Sequence, residues 1–191
     1  MSSCSRFARE SGRNEEHEIR FSTRIFNSFW NYKMIQISTK SVEETKQFGA
    51  ELAGITRAGD LILLCGDLGA GKTSFTQGFG LALGVTTPIT SPTFTLANCY
   101  EGNLIINHLD VYRLTHIEET RDLGLHELVD DHSVTLIEWG DVIIGALPSG
   151  YIEIRFNLGE TSDDRDINIQ FSGSDWEDRI EAIEAIKERL C

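Results

Sequence analysis

The sequence lacks the features that mark several large classes of protein. None of its apolar runs approaches the ~20 residues of a membrane-spanning helix, and its N-terminus has no apolar region of the secretory type. The four cysteines form no Cys-x-x-Cys pair, and no His/Cys cluster has the spacing of zinc ligands. These absences favour a protein of a reducing compartment. We therefore expect a cytoplasmic protein with neither a membrane anchor nor a zinc site.

Basic residues are also scarce. The chain carries 17 Lys and Arg against 30 Asp and Glu, which gives a formal net charge of -13. No cluster of Lys and Arg interrupts this acidic balance, so the average surface repels polyanions. Direct binding to DNA or free RNA is therefore not expected. An acidic protein of this kind would act on RNA through a protein partner.

The charge balance divides the chain near Met34. Residues 1–33 hold six Lys/Arg and four Asp/Glu, whereas residues 34–191 hold 11 and 26. The first segment shows no periodic pattern and ends in an aromatic cluster at Phe26, Phe29, Trp30 and Tyr32. We predict that residues 1–33 are a poorly ordered extension and that residues 34–191 form a single domain.

From Met34 onward, short apolar strands alternate with amphipathic helices. Ser41 resembles a helix N-cap, and Glu44 completes a capping box. The pattern predicts an α/β fold with a mixed sheet flanked by helices, ending in a β-hairpin and a helix. The predicted strands cover residues 34–38, 60–65, 94–100, 104–109, 134–139, 151–157 and 166–171, and the helices cover 42–57, 72–83, 118–123, 125–130, 141–147 and 175–190.

A glycine-rich loop follows the apolar strand 61–65. Its pattern, Gly-x-x-x-x-Gly-Lys-Thr, lies between a buried strand and a helix, as a phosphate-binding loop requires. Backbone N–H groups and the helix N-terminus would surround the phosphates, a lysine would supply a full charge, and a threonine hydroxyl would bind magnesium. The predicted nucleotide-binding residues are Gly66, Asp67, Leu68, Gly69, Ala70, Gly71, Lys72 and Thr73.

Two acidic residues stand where predicted strands end. Asp110 follows the run 104–109, and Glu138 follows 134–137. Because the carboxyl ends of core strands face the ligand crevice in open α/β sheets, both are candidates for holding magnesium and orienting the attacking water. With Lys72, they are the predicted catalytic residues, and with Thr73 they are the predicted metal ligands. His108 is interpreted as a packed or capping residue, and Trp139 either packs or stacks on a base.

Three stretches of the chain together resemble the TsaE family, also called YjeE. They are Gly-Asp-Leu-Gly-Ala-Gly-Lys-Thr at 66–73, Ser-Pro-Thr-Phe-Thr-Leu at 91–96 with His-Leu-Asp-Val-Tyr-Arg-Leu at 108–114, and Ile-Glu-Trp-Gly-Asp at 137–141. Their order and spacing also fit, and the resemblance extends from about residue 34 to 171. The family is the P-loop ATPase component of the bacterial machinery that makes threonylcarbamoyladenosine in tRNA.

The resemblance implies slow, magnesium-dependent ATP hydrolysis within a protein complex that modifies the adenosine beside the anticodon. It implies that Thr73 and Glu138 lie at the magnesium site with Asp110 close by. Asp141 stands where the family often has Glu. A loop near the γ-phosphate is expected to be mobile, and it consists of Ser91, Pro92, Thr93, Phe94 and Thr95.

Other nucleotide-dependent functions share parts of this pattern. A small-molecule kinase would use the same loop and acids, but such kinases close several arginines over the transferred phosphate. Only Arg113 lies near a candidate motif. A GTPase would need a guanine-reading Asn-Lys-x-Asp, which the sequence does not contain. A nucleotide-gated interaction module with little hydrolysis of its own stays open.

Overall fold

The computed structural model describes residues 33–113 and 129–190. The chain divides between Lys33 and Met34 into two units, and the sheet and its helices belong to the second. The expected disorder of residues 1–33 stays a prediction, because residues 1–32 lie outside the described part. The predicted helices at 118–123 and 125–130 fall wholly or mostly outside it as well.

Seven strands form one mixed sheet in the described part of the chain. They are β1 (Ile35–Thr39), β2 (Leu61–Cys65), β3 (Ala97–Tyr100), β4 (Ile105–Asp110), β5 (Ser133–Glu138), β6 (Tyr151–Leu158) and β7 (Arg165–Ser172). Their order is β1-β7-β6-β2-β5-β4-β3. Strand β2 pairs in parallel with β5 and β6, and β4 in parallel with β5, whereas β7 pairs antiparallel with β1 and β6, and β3 antiparallel with β4.

Helices cover the sheet, as predicted. The α-helices of the described residues are α1 (Val42–Ala53), α2 (Lys72–Ala82) and α3 (Ile180–Leu190), with 3-10 helices at Gly140–Ala146 and Glu177–Arg179. The mixed sheet with a C-terminal hairpin, β6–β7, and a final helix confirms the predicted fold class. None of the helices in the described ranges is long and apolar enough to cross a membrane.

Strand β2 is buried along its whole length because the sheet is covered on both faces. Its even-numbered residues, Ile62 and Leu64, join a large hydrophobic cluster with α1, α2 and α3. Leu61, Leu63 and Cys65 face a smaller cluster on the opposite side with residues of β4 and β5. Successive side chains of a strand point to opposite faces, so a continuous apolar run is what a central strand needs.

Local signals set the ends of helix α1. The Ser41 hydroxyl accepts a hydrogen bond from the Glu44 N–H at 3.1 Å, which confirms the predicted N-cap. The Glu44 carboxylate accepts a hydrogen bond from the N–H of Lys40 at 2.7 Å, one residue before the cap. The helix ends at Ala53, earlier than the predicted residue 57, because Gly54 and the following turn take over the last carbonyls.

Two further predicted boundaries differ from the structure by three or more residues. Strand β3 begins at Ala97 and not at residue 94, because the N–H groups of Thr95 and Leu96 turn back to the Pro92 carbonyl. The short helix predicted at 141–147 is present as a 3-10 helix at Gly140–Ala146. The last α-helix begins at Ile180, because residues 177–179 form a 3-10 turn that buries Arg179.

Candidate functional site

The parallel strands bring the candidate residues to one edge of the sheet. Residues 66–71 leave the end of β2 and lead into α2. In the strand register Leu64 lies opposite Glu138, and Glu138 lies opposite Asp110. The carboxyl ends of β2, β4 and β5 therefore meet beside the glycine-rich loop, at the position where open α/β sheets bind ligands.

Two glycines give the loop its shape. Gly66 has φ = 129°, and a Cβ there would collide with the Phe156 carbonyl of β6. Gly71 caps helix α2 in the left-handed region, with φ = 109° and no side-chain cap. The first N–H groups of α2 are therefore left without a capping side chain, which is the arrangement that helix N-termini use to bind phosphate.

Lys72 is folded against the loop. The residue is only 4% exposed, and its Nζ donates hydrogen bonds to the carbonyls of Gly66 at 2.6 Å and Asp67 at 2.8 Å. The Trp139 ring lies over the same ammonium, 4.0 Å from Nζ to the ring centroid. Burial lowers the pKa of Lys72 from its ordinary value, while the nearby Glu138 carboxylate opposes this shift. A lysine ammonium has three donors, so one remains for a phosphate oxygen.

Thr73 and Glu138 meet directly at the start of α2. The Thr73 hydroxyl donates to Glu138 Oε1 at 2.8 Å, and Glu138 is 3% exposed. Magnesium prefers oxygen ligands and usually keeps several waters, so a hydroxyl and a carboxylate at this distance fit its chemistry. Among the residues that the structure describes, no group of three or more His, Cys, Asp or Glu could hold a metal. A magnesium ion bound here would therefore take the Thr73 hydroxyl, the Glu138 carboxylate and water molecules as ligands.

His108 reaches the same carboxylate from β4. Its Nε2 lies 3.0 Å from Glu138 Oε1, and the residue is fully buried. Since an ionised carboxylate only accepts hydrogen bonds, this contact needs the proton on Nε2. The interpretation of His108 as a packed residue is therefore incomplete, because it also orients Glu138. The sequence contained one signal for this contact. His108 lies two residues before Asp110 on the same strand, so both side chains point to the same face of the sheet.

Asp110 is engaged by the loop 91–95. Its Oδ2 accepts hydrogen bonds from Ser91 Oγ at 3.0 Å and Thr93 Oγ1 at 2.6 Å. Its Oδ1 accepts the N–H of Tyr112 at 3.0 Å. The strand end therefore brings Asp110 beside Glu138, as predicted, and its oxygens hold the loop. At the tip of that loop Phe94 is 87% exposed.

Trp139 packs against two neighbours. It adopts a left-handed backbone conformation at the end of β5, with φ = 62°. Its ring contacts Tyr112 at 4.9 Å between centroids in addition to the Lys72 ammonium. Asp141, two residues later, accepts a hydrogen bond from Arg155 at 3.2 Å.

Arg165 is a residue of this site that the sequence did not reveal. It is the first residue of β7, and its guanidinium donates to loop carbonyls at Gly69 and Ala70. The two segments are 95 residues apart, and a contact to backbone carbonyls leaves no pattern of side chains. A Cβ added at Gly71, next to these carbonyls, would lie 3.8 Å from the Arg165 Nε.

Comparisons with known proteins converge on one family. Residues 39–167 match the family model described as threonylcarbamoyl adenosine biosynthesis protein TsaE. The chain is similar to the tRNA threonylcarbamoyladenosine biosynthesis protein TsaE of Bacillus subtilis, 39% identical over 146 residues, which are 76% of this chain and 90% of that protein. It is also similar to the protein of the same name from Treponema pallidum, 40% identical over 120 residues, or 63% and 89% of the two chains.

A solved structure gives the same relationship in three dimensions. The crystal structure of Bacillus subtilis YdiB superposes with a TM-score of 0.71 at 33% sequence identity, covering 82% of this chain and 97% of YdiB. The span matched by the family model contains the glycine-rich loop, the loop 91–95, Asp110, Glu138 and Arg165.

Proposed function

Since this chain belongs to the TsaE family, whose members act in threonylcarbamoyladenosine biosynthesis, we propose that it is the magnesium-dependent, ATP-binding and ATP-hydrolysing component of the complex that forms this modified nucleoside in tRNA. The observation that carries the enzymatic part is the Thr73–Glu138 contact of 2.8 Å at the mouth of the glycine-rich loop. It joins the hydroxyl of the phosphate-binding motif to the carboxylate at the end of the neighbouring parallel strand.

ATP would bind with its phosphates against residues 66–73. The amide groups of the loop and the N-terminus of α2 would contact phosphate oxygens, because no side chain caps that helix. Lys72 would give its remaining donor to the terminal phosphates. Trp139 stands over the ammonium and fixes its position. These contacts orient the phosphates before any bond changes.

Magnesium would be held by Thr73 and Glu138, with water completing its shell. When bound, it would neutralise negative charge that develops on the phosphate oxygens. Asp110 is within the same group of strand ends and would support this shell or the loop 91–95, to which it is hydrogen-bonded. Glu138 would also orient the water that attacks the γ-phosphorus while ADP leaves. His108 holds the Glu138 carboxylate at that position.

The tRNA would be reached through protein partners. A net charge of -13 opposes direct contact with a nucleic acid backbone, so the basic surfaces would belong to the other proteins of the complex. Phe94 at the tip of the loop is exposed. The Arg113 guanidinium lies over the Phe94 ring, with 4.8 Å between the Arg113 Cζ and the ring centroid. We place this activity in the cytoplasm, where the thiols of Cys65 and Cys99 would stay reduced.

Reconstituted tRNA modification tests the proposal. The chain is combined with the other proteins of the modification complex, substrate tRNA, the precursors of the threonylcarbamoyl group and ATP, and the modified nucleoside is quantified after repeated turnovers. Wild-type protein should support modification and consume ATP, whereas Glu138→Gln should support neither. The proposal fails if omission of the chain leaves the yield of repeated turnovers unchanged.

A further inference from the structure

The side chain of Arg165 joins the β6–β7 hairpin to the glycine-rich loop. Arg165 begins β7, where it pairs with Leu158 on β6 and with Thr39 on β1. It therefore stands at the same edge of the sheet as the phosphate-binding loop, on the side away from Glu138 and Asp110.

Four of the five N–H donors of the guanidinium group bind backbone carbonyls. Its Nε donates to Ala70 O at 2.8 Å, and Nη2 donates to Gly69 O at 3.1 Å. Its Nη1 donates to the carbonyls of Ser162 and Asp164, each at 2.7 Å. One planar group thus holds two adjacent peptides of the loop and two carbonyls of the hairpin turn. Lysine, with a single nitrogen, could not reach all four.

Contacts of the hairpin turn hold Asp164, the residue before Arg165, in place. Lys40 Nζ forms an ion pair with Asp164 Oδ2 at 3.2 Å, and the N–H of Gly159 donates to the Asp164 carbonyl at 2.9 Å. Within the described ranges, no carboxylate lies within ion-pair distance of the Arg165 guanidinium. Within these ranges, the guanidinium therefore interacts with backbone carbonyls and not with a direct ionic partner.

The direction of the bound carbonyls determines where the N–H groups of the same peptides point. In a trans peptide the C=O and N–H groups point to opposite sides. When Arg165 holds the Ala70 carbonyl toward the hairpin, the N–H of Gly71 points away from the hairpin, at the start of α2. The cap residue Gly71 has φ = 109° and no side chain to restrict other conformations, so an external contact is needed to fix it.

We propose that Arg165 is a positioning residue for the phosphate-binding loop, which holds the peptides of Gly69 and Ala70 so that the Gly71 amide faces the anion. The identity of that anion as a nucleotide phosphate rests on the proposed function, whereas the hold on the loop does not. Arg165 acts through the backbone, unlike Lys72, which would contact the phosphate itself.

The test compares Arg165→Lys and Arg165→Gln with Arg57→Gln in the full chain. Arg57 is an exposed arginine that pairs with Asp178 at 2.7 Å and serves as the matched control. ATP affinity is measured by calorimetry, and hydrogen exchange of the amides of residues 69–73 is measured in the nucleotide-free proteins. We expect about tenfold weaker ATP binding or more, and faster loop exchange, in both Arg165 variants. The control should match the wild type.

The lysine variant separates positioning from charge. It keeps the positive charge but lacks the planar guanidinium group with its several donors. Its ATP affinity and its loop exchange rates should therefore be closer to those of Arg165→Gln than to those of the wild type. Wild-type affinity and wild-type loop exchange in Arg165→Lys would overturn the proposal in favour of a long-range effect of charge. The same variant serves if Arg165→Gln does not fold.

Failure of the proposed function gives a different result. If the wild-type chain binds no ATP, the nucleotide assignment fails, and the exchange rates of residues 69–73 still decide the role of Arg165. Faster exchange in Arg165→Lys than in Arg57→Gln would then support the hold on the loop. Equal exchange in the two variants would overturn it.

Discussion

Glu138 lies where side chains from three elements converge. Its Oε1 receives the Thr73 hydroxyl from α2 and faces His108 Nε2 from β4, while Glu138 itself ends β5. Burying a carboxylate costs free energy unless hydrogen bonds replace its contacts with water. At Glu138 these bonds come from Thr73 and His108. We propose that this cluster belongs to the functional site and is not the ordinary end of a strand.

Replacing Glu138 by Gln should separate binding from hydrolysis. The amide keeps the shape of the side chain and can still accept from Thr73, so folding and most of the ATP affinity should be retained. Turnover should fall by about 10²–10⁴-fold, the range for a positioned acid–base group. Steady-state phosphate release measures the change, and Glu153→Gln on β6, which β2 separates from β5, is the control. Undiminished turnover in Glu138→Gln would exclude its proposed role.

His108 should affect magnesium binding through its contact with Glu138. His108→Leu removes the Nε2 contact, and we expect the magnesium concentration for half-maximal ATP turnover to rise by about 10–100-fold, as for other residues that orient metal ligands. His108→Gln retains an N–H donor and should recover part of the loss. A magnesium dependence equal to that of the wild type in His108→Leu would confine this residue to packing.

The placement of Glu138 beside Asp110 was predictable because strand ends can be read from apolar runs, and parallel pairing brings such ends together. The contacts of Asp110 with Ser91 and Thr93 were not readable, since they depend on how a loop folds back over 17 to 19 residues. Arg165 was missed for a related reason, because its partners are backbone carbonyls of a distant segment.

At the scale of elements, the approach of α1 to α2 depends on two glycines. A Cβ on Gly78 would collide with the Lys46 carbonyl of α1, and a Cβ on Gly49 would collide with the Phe75 carbonyl of α2. Neither carbonyl can move aside without shifting its helix. These contacts place α2, and with it Thr73, relative to the rest of the sheet.

Gly78→Ala should therefore destabilise the fold despite the better helix propensity of alanine. Propensity favours the substitution by about 1 kcal/mol, but overpacking against a backbone carbonyl costs about 1–3 kcal/mol and occasionally more. Urea denaturation should show a net loss of stability. Gly54→Ala is the matched control, because its Cβ would lie 3.3 Å from the nearest atom, the Glu51 carbonyl oxygen. Equal stability of the two variants would refute the close-approach account.

Elements also show where local pattern and tertiary structure disagree. The central strands β2 and β5 were predicted to within one residue at each end, because β2 is a continuous apolar run and β5 is apolar at Val134, Leu136 and Ile137. Strand β3 was predicted too long, since apolar residues at 94 and 96 belong to a turn closed by Pro92. The start of α3 was predicted too early, because Trp176 fits the helical period of the apolar face although residues 177–179 form a 3-10 turn.

At the scale of the whole molecule, the division at Met34 suggests that the site does not need the N-terminal segment. Residues 34–191 contain the sheet and every candidate residue. A chain that begins at Met34 should keep the thermal midpoint and the ATP affinity of the full chain. Differential scanning calorimetry and titration of both chains measure this. A midpoint lowered by several degrees would show that Phe26, Phe29, Trp30 and Tyr32 contribute to stability.

Nucleotide choice is a second property of the whole chain. The sequence has no Asn-Lys-x-Asp for reading guanine, and the phosphate contacts alone do not distinguish bases. Competition binding should therefore favour ATP over GTP. Equal or tighter binding of GTP would exclude the assignment of ATP as the nucleotide.

ATP titration of the full chain by calorimetry tests the central claim most directly, with and without magnesium and beside Lys72→Ala. The wild type should bind ATP saturably and more tightly with magnesium. Lys72→Ala should lose about 1.5–3 kcal/mol of binding free energy, which is roughly ten- to hundredfold in affinity, whereas exposed Lys187→Ala should lose none. Wild-type affinity in Lys72→Ala, or no saturable binding by the wild type, would contradict the assignment of residues 66–73 as the nucleotide site.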